Sequence, residues 1–175
     1  MNDFVRDRMR PLGVGIILSL LTLCFGFGMG AAFGAVESSI KAGLRADAVA
    51  VLDTVYAGDQ ATLDKVVGKS WVYYKRAHLH ANGLGTTALA CILLLAALGK
   101  PGGIQRASAI AIGAGALLYS VFWLLAGSTA PGLGSTGAAK EGLGFIAIPG
   151  SGLCILGLLG TLWSAVERLF LKPAA

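Results

Sequence analysis

Four stretches of this chain run without a single charged residue: 11–36, 81–99, 107–139 and 142–166, or 26, 19, 33 and 25 residues. A helix rises about 1.5 Å per residue, so roughly 20 apolar residues cross a bilayer core of about 30 Å. In lipid every backbone amide must be bonded within its own segment or across a closed barrel. The stretches are too long for barrel strands and lack period-two alternation, so helices are expected. The expected fold class is therefore an all-α integral membrane protein. It is a four-transmembrane-helix bundle with spans at about 12–35, 78–98, 106–127 and 143–167, and a helical extramembrane loop over residues 37–77.

Composition agrees. Hydrophobic residues make up 55% of the chain, charged residues 13%, and the mean hydropathy is +0.74. Soluble domains are about 45–50% apolar and about 25% charged. So little charge cannot cover a water-facing globule, and a lipid bilayer as partner removes the need. The 26 glycines have no Gly-X-Y period, and only 5 prolines occur, which excludes collagen and low-complexity disorder. The 14 Lys and Arg are scattered with no long basic tract, so nucleic acid is not an expected partner. Cys24, Cys91 and Cys154 each fall in a different apolar stretch and form neither a CxxC pair nor a disulfide framework.

Arg6, Arg8 and Arg10 precede the first stretch, as in a secretory signal, with a conceivable cleavage point after Ala32. The apolar run exceeds the usual 7–15 residues, so a retained anchor is expected. Half of the Lys and Arg fall in residues 1–11, 100–106 and 167–175; the other half are spread over twice as much chain, in 37–77 and 128–141. The positive-inside rule then puts both termini in the cytoplasm of a bacterial inner membrane.

Within 37–77, Ile40, Leu44, Ala48, Val51 and Val55 recur at helical spacing. Gly58 is expected to break that helix and Asp59 to cap a second one carrying Leu63, Val66 and Val67. Ser70 is expected to cap a further helix starting at Trp71, with Trp71, Tyr73 and Tyr74 as an interfacial aromatic belt. Gly99 and Pro101 mark a turn between the second and third spans. Residues 128–140 read as a loop, and Pro149-Gly150 as a bend in the fourth span. Gly26, Gly30 and Gly34 at four-residue steps, with Gly113 and Gly157 in later spans, are candidate helix-packing positions. They serve either the bundle or assembly with other membrane subunits or further copies of the chain.

The only histidines are His78 and His80, at the head of the second span, followed by Asn82. Ionisable groups at membrane depth are costly and often functional. Imidazole is also a usual ligand of haem, zinc and copper, so His78 and His80 are candidate metal ligands and both, with Asn82, candidate cofactor-binding residues. At about 100° per residue the two rings lie about 200° apart and cannot grip one ion from one face. The plainer alternative is a pair of interfacial histidines bonded to water, backbone or lipid phosphate, with Asn82 pairing to a neighbouring helix.

The stretch Arg76-Ala77-His78-Leu79-His80-Ala81-Asn82-Gly83-Leu84-Gly85 resembles a pattern in the catalytic subunit of haem–copper oxidases and nitric oxide reductases. There a His-x-Asn or His-x-His near the outer end of an early helix supplies a low-spin haem ligand. His80-Ala81-Asn82 is the matching stretch. The resemblance implies a b-type haem; with no further histidine in the chain, its second ligand would come from another chain or from Met29, which falls towards the outer end of the first span. It covers ten residues, and the family's copper ligands have no counterpart here, so it implies at most one electron-transfer haem.

No Walker, GxSxG, HExxH or paired-carboxylate motif occurs, and no acidic residue lies inside a span. The expected function is a small non-catalytic integral membrane protein, an accessory or structural subunit of a larger complex. The alternatives are a haem-binding electron-transfer protein and a small transporter or lipid-binding protein.

Overall fold

The computed structural model describes residues 4–171, and the elements over that range are helical. A π-helical turn (Phe4–Met9) and a 3-10 turn (Arg10–Leu12) lead into α1 (Gly13–Val49). Then follow α2 (Leu52–Val55), α3 (Gln60–Ala97), α4 (Gly103–Leu133), α5 (Thr136–Gly142) and α6 (Gly144–Val166), with a last π-helical turn at Glu167–Leu171. The long helices α1, α3, α4 and α6 are each long and apolar enough to cross a membrane.

The four do not form a symmetric bundle. Helix α4 packs along α1, α3 and α6, and α1 packs on α3. Helix α6 leans on α4, touches α3 only lightly, and leaves most of its circumference uncovered. Phe145, Ile148, Ile155, Leu156, Leu159 and Leu162 all stand exposed on it. An apolar surface that large is unstable against water and is matched by acyl chains.

Close approach comes from missing side chains. A Cβ on Gly113 would stand 2.8 Å from the Gly15 carbonyl oxygen of α1. One on Gly115 would stand 2.5 Å from the Cys154 nitrogen of α6, and one on Gly157 would stand 2.5 Å from the Ile112 nitrogen of α4. These are backbone-to-backbone contacts, the means by which helices associate when lipid removes the hydrophobic drive between them.

Several elements run further than their sequence suggests. Helix α1 continues past its apolar part to Val49, with one non-helical residue, Val36 (φ −139°, ψ 27°). The kink falls between Gly34 and the Ser38–Ser39 pair, where helical propensity is weakest. Asp59 caps α3, accepting from the Thr62 amide at 3.0 Å and the Thr62 hydroxyl at 2.6 Å, and these bonds hold its carboxyl below the ordinary range. Ser70 is not a cap. It lies inside α3 and donates back to the Val66 carbonyl at 2.9 Å, so α3 passes unbroken from the loop into the apolar stretch. The expected loop over 128–140 is mostly helix: α4 runs to Leu133, Gly134 ends it in the left-handed region (φ 63°), and Ser135 caps α5. Helix α6 runs through Pro149 and Gly150, both within its first two turns.

These extensions meet in a small core outside the apolar zone, formed by Ala48, Tyr56, Leu63, Val66, Ala130 and Ala139. Tyr56 donates to the Pro131 carbonyl at 2.7 Å, satisfying an end of α4. Arg45 pairs with Asp64 at 2.7 Å across α1 and α3. At the opposite end Gly99 (φ 126°) turns the chain, and Arg168 donates to the Lys100 carbonyl at 3.1 Å.

Gly157→Ala places a methyl group against α4 backbone and is expected to cost about 1–3 kcal/mol. Gly152, on the same helix, has open space where its Cβ would be. Gly152→Ala is expected to be neutral or stabilising by up to about 1 kcal/mol. Thermal unfolding of both variants in mild detergent measures the difference, and equal melting temperatures would refute the backbone contact.

Candidate functional site

Helix α3 carries the histidines at its midpoint, and its 100° step turns them towards different neighbours. His78 faces α1. Its Nδ1 lies 2.8 Å from the Gly26 carbonyl oxygen. A carbonyl only accepts, so Nδ1 is the donor in this contact. The Phe33 ring meets the imidazole edge-on at 5.6 Å between centroids. Asn82, one turn on, donates to the His78 carbonyl at 3.0 Å. Its Oδ1 is buried with no hydrogen-bond partner.

The glycine stripe of α1 explains itself here. A Cβ on Gly26 would stand 2.8 Å from Asn82 Oδ1, and one on Gly30 would stand 2.9 Å from His78 Cε1. Gly26 and Gly30 therefore make room for polar side chains of α3. Gly34, the third member of the expected stripe, has open space and makes no close contact. Gly113 and Gly157 do sit at helix contacts, on α1 and α4 respectively.

His80 faces α4. Its ring lies over Trp123 at 5.9 Å and meets the edge of Tyr119 at 5.2 Å. Its Nδ1 bonds the Arg76 carbonyl oxygen at 2.8 Å. The Arg76 guanidinium stands 4.8 Å over the Trp123 ring and 5.5 Å over Tyr73. Tyr73 and Trp123 touch edge to face at 4.9 Å. Met29 belongs to the same buried cluster, with Ala77, Phe122 and Ala126. The structure thus separates the two histidines onto opposite faces, with Asn82 beside His78, and puts Met29 among the aromatics.

Sequence reasoning passed over the feature next to this cluster. Tyr119 and Trp123 also wall a cleft of about 600 Å³ between α4, α5 and α6, with Lys140, Glu141 and Ser151 on its other sides. The signal was present: Tyr119, Phe122 and Trp123 share one face of α4, and Tyr73, Arg76 and His80 share one face of α3. Only their meeting could not be read from one chain. A second, apolar cavity of about 230 Å³ lies further along α6, between α3, α4 and α6, lined by Leu84, Thr87, Ile112, Cys154, Ile155 and Leu158.

Among the described residues no group of three or more His, Cys, Asp or Glu side chains gathers within reach of one metal ion. Each imidazole has its Nδ1 bonded to a carbonyl and one or more aromatic rings against it. Compared with protein-family models, with curated proteins and with solved structures, the chain finds no match.

The His78–Gly30 contact makes a sharp prediction. Gly30→Ala alone is expected to destabilise, because its methyl group meets the ring. In a His78→Ala background the same change is expected to be neutral, giving a coupling of about 0.5–3 kcal/mol. A double-mutant cycle by thermal unfolding reads it, and additive effects would show that ring and glycine do not touch.

Proposed function

We propose that this chain is a non-catalytic, multi-pass membrane protein that serves as an accessory or structural subunit of a larger membrane assembly. The observation that carries the reading is where the buried polar groups are directed. Ser19, Thr22, Ser70, Ser108, Ser120, Thr161 and Ser164 each donate to the carbonyl four residues back on their own helix. Gln105 accepts from the Gly102 amide and donates to Ser164. Hydroxyls bonded this way are not lined up for a substrate, an ion or a proton.

The contact surfaces for such a subunit would be the uncovered faces of α6 and of α1, and the helical cap around Tyr56. On the Lys and Arg distribution, both ends of the chain would face the cytoplasm of a bacterial inner membrane. Both rings hold a carbonyl through Nδ1, a bond that a haem ligand would keep. What favours interhelical roles is the packing around them: Gly30 and Phe33 lie against the His78 ring, and Trp123 and Tyr119 against the His80 ring.

Purification from native membranes in mild detergent tests the proposal. A partner in fixed stoichiometry, lost with the variant Leu156→Lys or Leu159→Lys on α6, is the expected result. A lone, monodisperse monomer would overturn it. An absorption spectrum of the same preparation separates the haem reading: a Soret band abolished by His80→Ala or His78→Ala would require it.

A further inference from the structure

The cleft at Trp123, between α4, α5 and α6, and the apolar cavity between α3, α4 and α6 follow one another along α6 as one seam with α4 as its floor. Ser151 in the first and Ile155 in the second are one helical turn apart on α6. From Gly144 to Leu158 the seam follows about 21 Å of α6, the depth of one leaflet and its interface in a core of about 30 Å. Its chemistry is graded. The mouth has Lys140 and Glu141, with Arg76 and His80 packed on the ring of Trp123 that walls it. The far end is lined by aliphatic groups, one threonine and one cysteine.

Three groups at or beside the mouth lack a hydrogen-bond acceptor or a counter-charge. Trp123 is 9% exposed, and its indole Nε1 has no acceptor. Arg76 and Lys140 are exposed cations with no carboxylate at ion-pair distance among the described residues. Arg76 is held in place by the faces of Trp123 and Tyr73. A buried indole donor without an acceptor costs about 1–3 kcal/mol, and a site that keeps one is shaped for a ligand that supplies the acceptor. Glu141 offsets Lys140 and leaves Arg76 as the net positive charge.

We propose that this seam is a specific binding site for one diacyl phospholipid. Its phosphodiester is the acceptor and counter-charge for Arg76, Lys140 and Trp123, and an acyl chain lies between α3 and α6 over Ile112 and Cys154. The proposal rests on the membrane-spanning reading above. A phosphate oxygen satisfies an N–H and two cations together, which neither a hydrocarbon nor a neutral diacylglycerol does. The bound chain fills the gap between α6 and α3 and so braces the helix that packs mainly on α4.

The test uses the full chain with Trp71→Phe and Trp163→Phe, so that Trp123 is the sole fluorophore. In detergent micelles it is titrated with phosphatidylglycerol bearing brominated acyl chains, then with the matching brominated diacylglycerol. Saturable quenching by the phospholipid, at least tenfold weaker with diacylglycerol and in Arg76→Gln/Lys140→Gln, is the expected result. Equal quenching by both lipids, or none, overturns the proposal. So does absence of quenching in a dimer that Ser151→Phe dissociates, which would assign the seam to a second copy. Circular dichroism and size-exclusion profiles matching the parent establish that each variant is folded. Retention in alkaline-washed membranes is scored separately: a protein that washes out contradicts the spanning reading, whereas one that stays but shows no quenching contradicts the lipid site alone.

Discussion

Helix α4 can touch three others only because it and they lack side chains where backbones meet. Gly113 on Gly15, Gly115 on Cys154, Gly157 on Ile112 and Gly127 on Tyr74 are the points of contact, and every one involves an absent Cβ. In a medium as apolar as leucine the hydrophobic effect gives no preference for helix against helix. What remains is dispersion between many atoms at close range, each pair worth only about 0.1–0.2 kcal/mol, and it accumulates only if backbones come near. The arrangement of α1, α3 and α6 around α4 follows from that constraint.

The same constraint decides where polar groups can live. Hydroxyls in the packed region bond to their own helix, so they add no directional demand on a neighbour. Apart from Gln105, which donates to Ser164 near the other end, the polar side chains that meet a neighbouring helix gather towards the end where α1, α3 and α4 meet the small core around Tyr56. There His78 and Asn82 occupy the notches left by Gly26 and Gly30, and Arg76 and His80 cover the face of Trp123. One helix thus sends polar side chains both ways, and the two orphaned atoms, Asn82 Oδ1 and Trp123 Nε1, lie on either side of it. The Asn82 orphan sits in a closed notch against α1, whereas Trp123 walls an open cleft.

The positions of the long helices were legible because the absence of charge over 19 or more residues has few physical explanations. Their true lengths were not. A charged helix continuing into water has the same periodicity as a separate amphipathic helix, so α1 past Val36 and α3 before Trp71 looked like loop elements. Asp59 was legible as a cap because an acidic residue after Gly58 has a local mechanism. Ser70 misled because serine serves equally as a cap or as a donor to the preceding turn, and the choice depends on whether the chain before it is already helical. Opposite faces for His78 and His80 followed from angle alone. What each face meets did not: Gly26 and Gly30 stand 52 and 48 residues from His78, and Trp123 stands 43 from His80, and pairing at that range is set by packing.

The account depends on the uncovered apolar faces being solvated by acyl chains. Nitroxide labels at Phe27, Leu94 and Leu156, one on each of α1, α3 and α6 and all exposed in the fold, test that directly. In reconstituted bilayers, power-saturation measurements are predicted to show each label far more accessible to molecular oxygen, which partitions into lipid, than to a water-soluble nickel chelate. Equal or greater access to the chelate at these positions, in folded protein, would contradict a membrane-spanning fold.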